Sequence, residues 1–515
     1  MPIKLDKKES VFRNELIFAA DAKAVTLDNT LTNLFMLIRN EGRRVKVRVT
    51  KEQTLETIKK YFEELEKQGS HEGFTENHEA AINWVRSNLV NFVNRGKTTE
   101  KISSLRPIHL ESFKLRNLAH TRDYNSADQI FIMLRKQPVV MEALKKYLSK
   151  GWDSNSKKIA MNLQLDVDSI GILQLIKNIE LELKSTPAIK VIRPLLEPQA
   201  DLFCNDVLRL LFYCDAIPRN VFIEYFRTLI GFHLSLYTQK VITYLPQMTK
   251  MGTLNVPDEW TIVVDVTDNF DSKISRLACE DIAKTINGLY EYFKAVYEIN
   301  VVCQRPEFAL RQLDKIDEVL FQLTNRPPDF EPYFQSKFGT VISNLDEEDK
   351  VDLMDFVQYE DSYFDKYVLT LLKAKGAYQY KYYGQFLDNV SMKNTDYGFM
   401  ADGRSKKHPR RAVLGSRLLE MLIQLLVLEP NENGTFYSRS LSIDELITKL
   451  RERYGIIING LTEKRFENAD VQTHLAFKEN VEAFKNKLRQ IGFYSDLSDA
   501  YILQKIRPRY KFEVQ

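Results

Sequence analysis

Residues 222–237 constrain the fold more than any other stretch of this chain. Phe222, Ile223, Phe226, Leu229, Ile230, Phe232, Leu234, Leu236 and Tyr237 fall on nearly every side of a helical wheel. A helix that is apolar all round has to be covered on several sides, so residues 221–236 are expected at the centre of a multi-helix body. A helix over 201–214 leads into it through the turn at Ile217, Pro218 and Asn220. His233 lies inside the apolar run, with no Cys, Asp or Ser three or four residues away to pair with it, and reads as a satisfied core histidine. Only 19 Gly and 16 Pro occur in 515 residues, which disfavours a turn-rich β architecture, and the 44% hydrophobic content supports sizeable cores. The length corresponds to roughly two to four domains.

The same periodicity organises the flanking segments. Leu31, Leu34, Phe35, Leu37 and Ile38 repeat at helical spacing until Glu41 and Gly42, and Val45, Val47 and Val49 then alternate with basic residues as in a short strand. Helices are expected over 54–66, 79–93, 126–134 and 139–148, and from Asp166 through Ile170, Leu173, Ile176 and Ile179 to about Lys184. Ser185, Thr186 and Pro187 interrupt the pattern there. Beyond the centre, helices are expected over 273–297, 306–323, 346–358 and 362–375, and the polar run 389–402 reads as a linker. The expected domains are 1–187, a central domain 188–388 containing a small β element near 260–266, the linker, and a C-terminal module 403–515.

That module reads as winged-helix-like. Leu414, Leu418, Leu419, Leu422, Ile423, Leu425 and Leu426 form a wide apolar face over 412–428, which Pro430 ends. Ser442 and Glu445 form a capping box for a helix to Tyr454, and a third helix over 479–490 ends at Gly492. A turn at 495–499 then separates two strands of a wing. Arg404, Lys406, Lys407, Arg410 and Arg411 precede the first helix, while Lys505, Arg507, Arg509 and Lys511 lie along the wing. Brought to one surface, such cations neutralise phosphates. Pro508 suits an edge strand, and Tyr510 is placed to stack or pack. A solvated charged face or a protein-docking module is the alternative reading. With a net charge of +3, any basic surface is local.

Two further motifs stand out. Asp265, Asp268 and Asp271 follow the β element and alternate with Thr267 and Asn269, a pattern able to converge on a hard cation. It departs from an EF-hand at Phe270 and Arg276. The simpler reading is that Asp and Ser side chains cap the helix that follows. Tyr378, Tyr380, Tyr382 and Tyr383 surround Lys381, an aromatic–basic pattern that binds single strands in other proteins but more often packs a helix. Cys204, Cys214, Cys279 and Cys303 show no metal-ligand spacing and read as buried free thiols. No signal-peptide core and no apolar run of about 18 residues occur, so the expected location is cytoplasmic, without a membrane partner. Walker A, dinucleotide-binding, metalloprotease, nucleophile-elbow and deaminase motifs are all missing. No enzyme and no cofactor are expected.

On its buried helix 226–237 and its basic C-terminal module, the chain resembles the large helical components of bacterial multigene anti-phage or DNA-modification-linked defence systems. The resemblance implies a subunit without enzymatic motifs that works beside separate ATPase and nuclease subunits. The expected function is a non-catalytic subunit of a nucleic-acid-directed complex that binds DNA, partner subunits or both. A pure protein-docking scaffold, and a metal-dependent enzyme using Asp265, Asp268 and Asp271, are the alternatives.

Overall fold

The structure, a computed structural model, describes residues 3, 5, 11–49, 54–93, 100–160, 165–177, 181–309, 316–403, 408–494 and 505–513. It is mainly helical, with short two-stranded pairings between the helices. The chain divides into two compact units: residues 25–191 with 200–230, and residues 1–24 with 192–199 and 231–515. The expected linker does not behave as one. Val390, Ser391, Phe399 and Met400 are buried, and Met400–Ala401 pairs with Arg411–Ala412.

In the unit built from 25–191 and 200–230, the helix Leu27–Arg39 reverses at Gly42 into the strand Arg43–Val49. Gly42 has φ +83°, and a Cβ there would meet the Phe131 ring at 3.0 Å, so the turn needs glycine twice over. The strand pairs antiparallel with Leu181–Ala188, Val45 opposite Ser185. That pairing corrects the helix expected to run to Lys184: the described helix is Val167–Lys177, and residues 181–188 are strand, because a strand partner distant in sequence takes their backbone groups. Likewise the helix expected over 79–93 stops at Leu89, and Val90–Val93 pairs with Lys101–Leu105. Arg44 donates to Asp123 at 2.8 and 3.0 Å and to Asp128 at 2.6 and 3.0 Å, which ties the strand to the N-terminus of the helix Ser126–Arg135. Ile58, Phe62, Phe74, Val85, Leu89 and Ile172 form the core beside it.

His109 in this unit is fully buried. Its Nδ1 accepts from the Glu111 amide at 3.2 Å, and Nε2 lies 3.3 Å from the Lys150 carbonyl. Burial, assisted by the nearby Arg219 charge, pushes its pKa down to about 3. The unfolded chain therefore takes up a proton near pH 6.5 that the folded chain refuses. Stability is full above about pH 6.5 and falls by about 1.4 kcal/mol per pH unit as the solution is acidified toward the folded value. Urea unfolding between pH 7 and pH 4 should show this limb, and His109→Asn, which keeps a cap acceptor, should flatten it.

The helix Arg219–Met251 carries the apolar run, and Phe222, Phe226, Leu229, Phe232, Leu236 and Tyr237 are all fully buried. His233 is the core histidine expected, its Nδ1 3.0 Å from Gln199 Nε2. Ser235 Oγ bonds Ser391 Oγ at 2.7 Å, so the 389–402 segment is anchored on this helix.

The rest of the larger unit joins a helical group to a small sheet. Lys273–Asn287 and Leu289–Cys303 form two helices, broken at Gly288, where one was expected. Tyr363–Val390 runs 28 residues, well past the expected end at Lys375. In the sheet, Ile456–Ile457 lies parallel to Ile262–Val263. A parallel bridge from Asp265 to Val413 continues to Arg411–Ala412, and Met400–Ala401 closes the edge. Val263, Ile274, Ala278, Ile457, Ala476 and Phe477 form the core between this sheet and the helices Lys273–Asn287 and Val471–Gln490.

Helices at Ser416–Leu426, Ile443–Tyr454 and Val471–Gln490 follow in the order a winged helix has. Ser442 and Glu445 form the expected capping box. Two features differ from the expectation. A hairpin of Leu428–Pro430 with Phe436–Ser438 separates the first two helices. The strand after the second helix pairs with residues 262–263, outside 403–515, and Gly455 turns into it at φ +72°, where a Cβ would sit 2.7 Å from the Trp260 carbonyl. The expected wing turn and most of its second strand, residues 495–504, lie outside the described residues. A winged helix is therefore not established.

Candidate functional site

The basic residues singled out in the sequence separate into three groups. Arg404, Lys406 and Lys407 lie outside the described residues. Arg410, Arg411 and Arg509 are held by carboxylates. Lys505, Arg507 and Lys511 are exposed and have no ion pair among the described residues.

Arg411 stands on the strand beside Asp265 and is 3% exposed. Its Nε donates to Asp265 Oδ2 at 2.8 Å, and its guanidinium lies 4.0 Å from the centroid of Phe270. Asp265 Oδ1 accepts from the Thr267 amide at 2.8 Å and the Thr267 hydroxyl at 2.7 Å. Both oxygens of this buried carboxylate are thus engaged. Asp268 is 75% exposed and 3.9 Å from Arg411, and Asp271 is exposed. Among the described residues no three His, Cys, Asp or Glu side chains are grouped to hold a metal ion. Ser272 caps the helix Lys273–Asn287, accepting from the Ser275 amide at 3.0 Å. This acidic loop acts locally as a cap joined to a buried arginine clamp.

Two buried polar residues that the sequence pattern did not single out complete the clamp. Asn480 is fully buried; its Oδ1 accepts from the Val266 amide, and its Nδ2 donates to the Val264 and Ile458 carbonyls, each at 2.9 Å. Asp281 accepts from the Val263 amide at 2.8 Å and from Arg465 at 2.7 Å. A polar residue on the core face of an amphipathic helix was their only signal, and the third helix was expected to begin at 479, which hid the face on which Asn480 lies.

Arg410 donates to both oxygens of Asp388, at 2.6 and 2.9 Å, and these bonds hold its pKa above arginine's ordinary value. Asp388 also accepts from Lys393 at 2.9 Å. Arg509 pairs with the buried Glu420, donates to the Ile491 carbonyl at 2.8 Å, and lies 4.5 Å from the Phe493 ring centroid. The tail is fixed by its backbone. Ile506 pairs with Leu441 and is buried, and Phe512 and Ser438 exchange hydrogen bonds at 3.0 and 3.1 Å. Lys505, Arg507 and Lys511 consequently project from an anchored edge.

All four cysteines are free. Cys204 is buried, while Cys214, Cys279 and Cys303 are half-buried. Burial raises the Cys204 thiol to about 12, so none of the chemistry expected of a thiolate is accessible there.

The family model of the methylation-associated defense system protein MAD7 matches residues 7–510, almost the whole chain. The chain belongs to the MAD7 family. No curated protein and no solved structure matches it. Its membership agrees with the resemblance to DNA-modification-linked defence components and makes this MAD7-family chain a defence-system protein. Among its described residues no helix is long and apolar enough to cross a membrane.

Proposed function

We propose that this MAD7-family protein is a non-catalytic subunit of a nucleic-acid-directed defence complex, and that its C-terminal edge contacts the phosphate backbone. One observation carries the reading: Lys505, Arg507 and Lys511 are exposed and unpaired among the described residues, on a tail fixed to the strand Phe436–Ser438 and to Leu441–Ser442. Cations held on a rigid edge neutralise phosphates without first being ordered. Arg404, Lys406 and Lys407, which lie outside the described residues, are proposed as further phosphate contacts on their sequence alone. Arg410, Arg411 and Arg509 are not, because each is neutralised by a carboxylate of the chain itself. The missing catalytic motifs support the non-catalytic part of the reading.

The test is duplex DNA binding across a salt series. Lys505→Glu, Arg507→Glu and Lys511→Glu combined should weaken binding and lower the log–log salt slope by about 0.9 for each phosphate that is no longer neutralised. An unchanged affinity and slope would remove the tail from the interface. A second reading, a protein-docking scaffold, is favoured by the helix Glu347–Val357, where Val351, Met354 and Phe356 are exposed between acidic side chains, with Tyr359 just beyond. Absence of DNA binding at low salt, with complex assembly retained, would decide for it.

A further inference from the structure

The helix Glu347–Val357 carries a charge pattern that its own stability does not require. From Asp346 to Asp361 the chain has eight acidic residues and one basic one, Lys350, in a protein whose net charge is +3. Asp346 caps the helix, accepting from the Asp349 amide at 2.9 Å, and Glu347 pairs with Lys350 at 2.6 Å. Carboxylates in this first turn also meet the positive end of the helix dipole. Asp352 and Asp355 lie beyond it. Asp355 stands in the last turn, where the dipole disfavours a carboxylate and no basic residue offsets it. Aspartate is besides a poor helix former in a helix interior.

Helical spacing gathers these groups on one face. Glu348, Val351, Asp352 and Asp355 follow one another at i, i+3, i+4 and i+7, and Met354 stands three residues after Val351. All five are exposed, Val351 by 60% and Met354 by 45%. Leu353 and Val357, on the opposite side of the helix, are buried and hold it against the protein. Phe356 is not part of the exposed face: the Lys373 ammonium lies 4.9 Å from its ring centroid. That ammonium donates to the Asp352 carbonyl at 2.7 Å, a backbone group, and not to the side-chain carboxylate. Glu348, Asp352 and Asp355 have no ion pair among the described residues.

We infer that Glu348, Val351, Asp352, Met354 and Asp355 form a docking face for a Lys/Arg-rich amphipathic segment of a partner protein. Charge complementarity selects the occupant. Three unpaired carboxylates around a valine and a methionine repel the phosphates of a nucleic acid and attract ammonium and guanidinium groups. The two apolar side chains supply an anchor, and the unbranched methionine adapts to the surface laid on it. The inference rests on the protein-docking reading of this helix and gives that reading a partner chemistry. It uses none of the tail cations, so phosphate binding at Lys505, Arg507 and Lys511 stands or falls separately.

The test is fluorescence anisotropy with the full-length protein and a labelled amphipathic leucine–lysine peptide of about eighteen residues, with its leucine–glutamate counterpart as control. Glu348→Lys with Asp355→Lys should weaken binding of the lysine peptide about tenfold and flatten its salt dependence. Glu452→Lys with Glu479→Lys, the same change in net charge at exposed positions elsewhere, should stay within about twofold of the parent. Val351→Ser with Met354→Ser leaves every charge in place and should weaken binding about fivefold at low and high salt alike. The inference is overturned if the parent binds the glutamate peptide as tightly, if the serine pair binds as the parent does, or if the control pair loses as much as the site pair. A parent that assembles its complex but does not bind the lysine peptide at low salt overturns the partner chemistry and leaves the docking reading standing; a parent that does neither overturns both.

Discussion

Replacing Arg411 with methionine should destabilise the larger unit by about 3–5 kcal/mol, the usual consequence of leaving a buried charge without its partner. The charge in question is Asp265, which is 1% exposed and receives the Arg411 Nε at 2.8 Å. Methionine fills much of the volume of the arginine stem, so packing against Phe270 is partly kept and the loss reads mainly the unpaired carboxylate. Adding Asp265→Asn removes that charge and retains an oxygen for the Thr267 amide. The double variant should therefore lose less stability than the two single losses added together. Asp268→Ala is the control: that carboxylate is 3.9 Å from the same guanidinium but 75% exposed, and its removal should change stability by no more than about 1 kcal/mol. Urea midpoints measure all four proteins. Equal losses for Arg411→Met and Asp268→Ala would show that the clamp does not hold this sheet together. Repeating the series with Mg²⁺ and with a chelator also tests the acidic loop as a metal site. A deficit in Asp265→Asn that appears only with the divalent ion would favour metal binding.

Asn480→Ala should have an effect of similar size by a different mechanism. Three backbone groups lose their partner at once: the Val266 amide and the Val264 and Ile458 carbonyls. Each buried group left unsatisfied costs about 1–3 kcal/mol, and partial relaxation puts the expected total at about 3–5 kcal/mol. The cavity at a fully buried position adds to the loss. The loss should be local before it is global. Hydrogen exchange at the Val266 amide should accelerate more than exchange at Phe477, whose environment is apolar core. Uniform acceleration at both amides, or a loss below about 1 kcal/mol, would mean that water satisfies the strand in place of Asn480.

These two sites also show where sequence reasoning reached and where it stopped. The all-round apolar pattern of 222–237 required burial and was buried. Ser442 and Glu445 capped the helix they were expected to cap, because a capping box is completed within four residues. His233 lay in the core because no polar partner stood near it in sequence, although its actual partner, Gln199, could not be inferred from spacing. By contrast, Arg410 and Arg411 looked like phosphate ligands because a run of cations carries no record of the carboxylates that face it. Asp388 is 22 residues from Arg410, and Asp265 is 146 residues from Arg411. The 389–402 segment looked like a linker because it is polar, yet Ser391 and Phe399 are fixed by neighbours that local composition does not reveal.

Short-range physics, legible in the order of the residues, settled the helical class, the central buried helix and the caps; the pattern of residues 7–510 likewise carries membership of the MAD7 family. Which charges stay free was settled only by the packing of distant segments. An arginine is a ligand for phosphate only if no carboxylate of its own chain reaches it first, and that depends on which strands lie side by side. The strand 262–263, its neighbour 411–412 and the helix Val471–Gln490 come together from three distant parts of the chain. Their meeting consumes Arg411, while Lys505, Arg507 and Lys511 remain exposed on their anchored edge.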